Sequence, residues 1–485
     1  MPLIWSGDSV EYGVVATTFY QTGTLGPINA WRMPGYSVLL GLGLHVATIE
    51  QVVTVLHTLC GITAALAAGA LAARALPRVP LAGPIVCILV GIDPIGIMYE
   101  RMVLTEAITS ASFMLATWLT TLAVERVRWS AAYGLIAASV LVLALASLVR
   151  SNMQVFLVLL PVIAMVARAR RDRVWRTGGT LAAAFVVAAL VIGPRISNMS
   201  AAYGTKTLAI GTGFTRMFGL TDASLIELNN ASAFTPTQWK SAVDRSQQPW
   251  FTGYELLNCI NANSRLAPRY AHLKPWAAAD AASAELADET VRRHGPSTLL
   301  YSTRAFTNLL GFPIGGGSMF RENKWWFQRF APNPPAIPAL TSWWDDPAGF
   351  AHLDQAKVQA LATGTRRPID VWSRSSAAKV FNGWNTAIQQ IRPLIAAGSL
   401  LGLFLLVFRG KRALAFLLAT PIIHHAVLAF HLFSGIDRYA APFYPVMWVA
   451  FAAVFAACRN TPEATHEATG ESVGVATTGA ERPEK

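Results

Sequence analysis

The chain has 485 residues, 53% of them hydrophobic and 14% charged, with a mean hydropathy of +0.41. Water-soluble globular chains carry about 25% charged residues, so this chain is too apolar for water unless much of it faces lipid. The net charge of +12 would suit a nucleic-acid binder, but the arginines cluster at the ends of apolar runs, where membrane topology signals stand, and no nucleic-acid partner is expected.

Residues 1–49 begin with neither a basic n-region nor an apolar h-region, so no signal peptide is visible. Gly7-Asp8-Ser9-Val10-Glu11-Tyr12 sets two acids three apart. If a helix begins near Ser9, both lie in its first turn, where the dipole favours negative charge. They read as a cap with a first-turn glutamate or as catalytic carboxylates. Trp31-Arg32-Met33-Pro34-Gly35-Tyr36 then leads into residues 35–48, which are apolar but too short to cross a bilayer and read as a re-entrant or interfacial helix.

Nine membrane helices are predicted at 50–73, 81–98, 103–124, 131–148, 153–170, 178–195, 393–409, 412–431 and 438–458, each near the roughly 20 residues that span the hydrocarbon core. Arg74 and Arg78 follow the first, and Arg126 and Arg128 follow the third. Five arginines between 168 and 176 separate the fifth from the sixth, and Arg409, Lys411 and Arg412 separate the seventh from the eighth. These are alternate loops, which places them in the cytoplasm by the positive-inside rule. The segments 1–49, 99–106, around Arg150, 196–392 and 432–440 are then outside.

The outer segment 196–392 holds nine of the fifteen tryptophans, including Trp325-Trp326 and Trp343-Trp344. It is too long for a structureless loop and reads as a domain resting on the membrane. Its aromatics would serve as core, interfacial anchors or a sugar-stacking surface. Residues 459–485 read as a disordered cytoplasmic tail. Cys60, Cys87, Cys259 and Cys458 form no disulfide framework or metal-ligand spacing. His424-His425 lies inside a predicted span and reads as a helix-packing pair rather than a metal site.

The polar residues that could do chemistry gather on the outer side. They are Asp8, Glu11 and Arg32; Glu106 in Leu104-Thr105-Glu106; Arg150-Ser151-Asn152; and the segment Asp437-Arg438-Tyr439-Ala440-Ala441-Pro442-Phe443-Tyr444-Pro445. Simpler readings are an exposed helix N-terminal residue for Glu106, and a snorkelling arginine or a partner of Asp437 for Arg438.

The order and common sidedness of these motifs resemble the GT-C glycosyltransferases, in the bacterial group similar to protein mannosyltransferases and the aminoarabinose transferases of lipid A. The resemblance implies an all-α polytopic membrane fold (GT-C-like) with a mixed extracytoplasmic domain. It also implies a multi-pass protein of the inner (plasma) membrane with its active site outside. The implied activity is hexosyl or pentosyl transfer from a polyprenyl-phosphate sugar donor to a lipid, glycan or protein acceptor. Asp8, Glu11 and Glu106 would be the catalytic carboxylates, with Asp8 as the base. Arg32, Arg438 and Tyr439 would bind the donor phosphate. No metal motif is present and no cofactor is specified, with a divalent cation left open.

The chemistry suits the assignment. Cleaving the sugar–phosphate bond builds charge on the phosphate, which a forked guanidinium neutralises, and the attacking hydroxyl must give up its proton to a base. The family carries a membrane helix ahead of the acidic loop, whereas this sequence starts at the loop, so an upstream in-frame apolar segment is expected. Two other readings are a transporter or flippase, whose site would lie near the bilayer midplane, and an inactive envelope-assembly relative.

Overall fold

The computed structural model describes residues 7–25, 32–126, 128–169, 174–222, 272–273, 275–312, 372, 374–432 and 439–459. All regular secondary structure among them is helical, as the sequence predicts. In chain order the helices are α1 (Gly7–Thr22), α2 (Pro34–Gly43), α3 (Ile49–Ala75), α4 (Ala82–Gly91), α5 (Pro94–Glu100), α6 (Glu106–Glu125), α7 (Trp129–Val149), α8 (Gln154–Arg168), α9 (Val174–Tyr203), α10 (Thr212–Asp222), α11 (Pro275–Arg293), α12 (Gly295–Leu309), α13 (Ser376–Phe408), α14 (Arg412–Ala426) and α15 (Tyr444–Arg459).

Seven of these segments are long and apolar enough to cross a membrane, the bent pair α4–α5 makes an eighth, and Ala441–Phe455 is a shorter apolar helix. Each of the nine predicted segments is therefore helical. Their outward faces show what surrounds them. On α3, Val55, Leu59, Ile62 and Leu66 are between 50 and 61% exposed, and the 4-3-4 spacing puts them on one face. The other face buries Ala64, Ala68, Leu71 and Ala72. Val158, Val162 and Val166 repeat the pattern on α8, and Leu401, Phe404 and Phe408 on α13. Continuous apolar stripes of this kind are out of place in water and at home in lipid. The chain is a multi-pass membrane protein.

One expected span differs. Residues 81–98 form two helices bent by 53° rather than one. Pro94 has no N–H to give, and it pushes the preceding residue out of the helical region. Asp93 accordingly adopts φ −61, ψ 120, and its carboxylate accepts the Ile95 N–H at 2.9 Å, capping α5. The segment expected at 35–48 is helical over 34–43, with Pro34 in its first turn, and a second helix, α1, precedes it. Thr48 and Gln51 form a capping box that starts α3.

Helix α13 has 33 residues, about 50 Å at 1.5 Å per residue. It runs unbroken across position 392, where the outer domain was expected to end. The described helices of 196–392 are the end of α9, α10, α11, α12 and the first half of α13. The expected mixed character of that domain, the paired tryptophans and nearly all of the 459–485 tail fall outside the described residues.

The bundle has two ends. At one, Arg74 pairs with Glu125 at 2.5 Å, and Arg168 donates to the carbonyls of Ala123 and Arg126 at 2.8 and 2.7 Å. This is where the arginine-rich loops meet. At the other end a second core cluster joins Tyr12, Tyr36, Ile95, Tyr99, Leu104, Val149, Leu309, Ala440 and Tyr444. That cluster carries the polar residues described next.

Candidate functional site

The motif Arg32-Met33-Pro34-Gly35-Tyr36 has a local reason for each of its conspicuous residues. Arg32 Nε donates to Glu11 Oε2 at 2.7 Å, and its guanidinium lies 5.8 Å from the Tyr12 ring centroid. Pro34 opens α2. At Gly35 an added Cβ would stand 2.7 Å from the Leu148 carbonyl oxygen, so glycine lets α2 touch the last turn of α7. Gly35→Ala is expected to lower stability by about 1–3 kcal/mol through forced backbone displacement, read as a lower unfolding midpoint in detergent. An unchanged midpoint would show that α7 gives way freely.

Tyr36 reaches across to α3, with its hydroxyl 3.1 Å from His57 Nε2. Burial above all, with Tyr12 and Glu106 adding, pushes the Tyr36 phenol well above its ordinary value, so it stays an O–H donor. His57 Nδ1 lies 3.3 Å from the Glu100 carbonyl, which accepts only. The Nδ1–H therefore donates to that carbonyl, and Nε2 accepts the hydrogen bond from the Tyr36 hydroxyl. This brace ties α2, α3 and α5 together.

Glu106 begins α6 and is 1% exposed, so it is not the exposed helix-start residue of the simpler reading. Its Oε1 pairs with Arg150 Nη1 at 2.9 Å. The Arg150 guanidinium stands 5.2 Å from the Tyr439 ring centroid. Three predicted outer segments thus meet at one point. Beside it, a cavity is lined by Glu106, Glu100, Asp93, Pro442, Tyr444 and Pro445 among others. The Tyr-Pro segment enters it through the short turn Ala441–Phe443 and the start of α15.

The two ion pairs, Glu11–Arg32 and Glu106–Arg150, stand at the same end; Tyr12 meets Tyr36 edge-on at 5.0 Å between ring centroids, and Tyr36 stacks on His57 at 5.7 Å. Asp8 is the second residue of α1; its side chain, and all of Arg438, lie outside the described residues. Arg32, expected at the donor phosphate, already serves Glu11 through its Nε.

Sequence reasoning did not find Asp93, Glu100, Arg392 or Trp448. Only the Asp93-Pro94 dipeptide carried a signal, as a break in an apolar run. His424-His425 is a packing pair in the structure, with His424 3.1 Å from the Asn152 amide nitrogen, tilted against Phe156 and edge-on to Phe443. Among the described residues no group of three or more His, Cys, Asp or Glu converges on a metal position.

No family model matches the chain, and no curated protein matches it. Among solved structures, ArnT from Cupriavidus metallidurans in the apo state is 14% identical, over 83% of this chain and 75% of that one, with a TM-score of 0.36. The same protein bound to undecaprenyl phosphate is 13% identical, over 91% and 74%, with a TM-score of 0.33. At that identity and overlap the likeness says nothing of substrate or of individual residues.

Proposed function

We propose that this chain is an integral membrane glycosyltransferase that moves a sugar from a polyprenyl-phosphate donor to a lipid, glycan or protein acceptor of the cell envelope, at the extracytoplasmic face. The observation that carries the reading is the Glu106–Arg150 pair, a buried carboxylate and guanidinium beside a cavity at the bundle end away from the arginine-rich loops. A polyprenyl tail belongs in lipid, so its phosphate and the bond to be broken sit at this depth.

In the transfer, the acceptor hydroxyl oxygen bonds to the anomeric carbon as the carbon–oxygen bond to phosphate breaks, and its electron pair leaves with the phosphate. The hydroxyl proton passes to a carboxylate. Glu106, held by its pair with Arg150, is suited to accept a hydrogen bond from a substrate hydroxyl. Asp8 is the base in this reading, with Glu11 holding Arg32 in place. Arg32, Arg438 and Tyr439 are the donor-phosphate binders in this reading, guanidinium charge lowering the barrier to bond cleavage.

The test uses proteoliposomes of the purified protein, a radiolabelled polyprenyl-phosphate sugar and an envelope extract as acceptor. A labelled acceptor product is expected, and its absence across hexose and pentose donors would overturn the reading. The face is checked with Gln21→Cys and Ser130→Cys in a chain lacking its own cysteines. An impermeant maleimide is expected to label position 21 in intact cells and position 130 only after lysis; the reverse pattern places the cavity in the cytoplasm.

One observation favours a transporter: the broken α4–α5 segment with a buried Asp93–Arg392 pair at the break, since interrupted helices with buried charge mark transport sites. Sugar-lipid movement across the proteoliposome bilayer with no transfer product would select it.

A further inference from the structure

The cavity has an acid that the transfer step leaves unused. Asp93 is 5% exposed and lines the cavity from the α4–α5 break, on different helices from Glu106. Its Oδ1 accepts the Ile95 N–H at 2.9 Å, and its Oδ2 accepts the Trp448 indole N–H at 3.0 Å. The Arg392 guanidinium is 3.7 Å from Oδ1 and lies 3.9 Å from the Tyr444 ring centroid.

Capping α5 does not account for this arrangement. Serine or asparagine caps a helix as well as aspartate does and brings no buried charge. Here a guanidinium on α13 and an indole on α15 are both turned to a carboxylate that a smaller polar residue could replace as a cap. An ionised carboxylate has about four acceptor positions, and the two N–H bonds leave room for another donor. Trp448 and Tyr444 line the same cavity beside it. An acceptor next to aromatic rings suits a sugar, which offers hydroxyl donors at its rim and an apolar C–H face.

We propose that Asp93 selects the transferred sugar by accepting a hydrogen bond from one of its ring hydroxyls. Trp448 and Arg392 are positioning residues that hold the carboxylate toward the cavity. The inference rests on the transferase reading and adds to it the group that discriminates one sugar from another. A site built to receive a hydroxyl rejects an analogue without it far more strongly than an apolar pocket rejects a missing methylene.

The test uses synthetic polyprenyl-phosphate glucose, mannose and arabinose, and then the monodeoxy series of the sugar that is transferred. With the natural sequence, one deoxy position is expected to lower kcat/KM by at least about tenfold. Asp93→Ser keeps the cap and removes the carboxylate. It is expected to bring the loss at that one position close to onefold while the losses at the other positions stand. Trp448→Phe frees Oδ2 and should shrink the same loss in part; it carries the test where Asp93→Ser fails to fold.

Transfer by the natural sequence with every deoxy loss unchanged in these variants would overturn the assignment of Asp93 and leave the transferase standing. So would a decline in kcat/KM that is uniform across the series. No transfer of any donor by the natural sequence overturns both.

Discussion

Glu106→Gln is expected to lower sugar transfer by about 10²–10⁴-fold, the range for a carboxylate that handles a proton or hydroxyl at the reacting centre. Glutamine keeps the shape and one acceptor oxygen but not the charge. Two effects would follow, and they need separating. The first is chemical: the hydroxyl oriented by a full negative charge now meets a neutral amide. The second is structural, because Arg150 is about 10% exposed and loses its anion. A buried ion pair that loses one partner costs about 3–5 kcal/mol, so abundance and unfolding midpoint must be measured beside activity. Arg150→Met in the same chain removes the stranded cation and is expected to restore most of the stability without restoring transfer. Recovery of transfer together with stability would reduce Glu106 to a structural partner of Arg150. Full transfer by Glu106→Gln alone would remove it from the mechanism.

That ion pair was within reach of the sequence in a way other contacts were not. Helices α6 and α7 are joined by residues 126–128 alone, so they must lie antiparallel, and the start of one is brought beside the end of the other. Glu106 and Arg150 occupy those two places. The lipid-facing stripes were equally legible, since Val55, Leu59, Ile62 and Leu66 follow helical spacing and nothing polar interrupts them. The Arg32–Glu11 pair was half legible: both residues stood out, but their contact depends on how α1 and α2 fold back on each other.

The α4–α5 break shows where periodicity misleads. Residues 81–98 are apolar enough to read as one span, and that signal outweighed Asp93-Pro94, although the residue before a proline leaves the helical region readily. Once the break is missed, Asp93 looks like a stray charge in a span, and nothing local reveals its partners. Trp448 and Arg392 are 355 and 299 positions away, and only the packing of α15 against α13 and α4, and of α13 against α5, brings them near. Arg392 was read as the residue before the seventh span, whereas the helix continues through it, and this turns a loop-end cation into a buried one. Contacts set by the stacking of distant helices have no pattern in the chain to announce them.

Arg392→Met is expected to be among the most destabilising single replacements in the bundle. Asp93 would keep its bonds from Ile95 and Trp448 but lose the only guanidinium recorded beside it among the described residues, in a setting with little water. Removing one partner of a buried pair costs about 3–5 kcal/mol, and the 3.7 Å separation places this one at the lower end, about 3 kcal/mol. The lost stacking on Tyr444 adds a cation–π contribution of up to about 2 kcal/mol where the ring is buried, part of which methionine recovers through its own contact with the aromatic face. The discriminating measurement is the double-mutant cycle with Asp93→Asn. Asparagine still caps α5 and still accepts from Trp448, so the double variant has neither stranded charge and should unfold within about 1.5 kcal/mol of the natural chain. The resulting coupling would be at least about 1 kcal/mol, well above the few tenths expected of independent sites. Losses that simply add would mean that Arg392 is held by Tyr444 and that Asp93 is held by the two N–H donors alone.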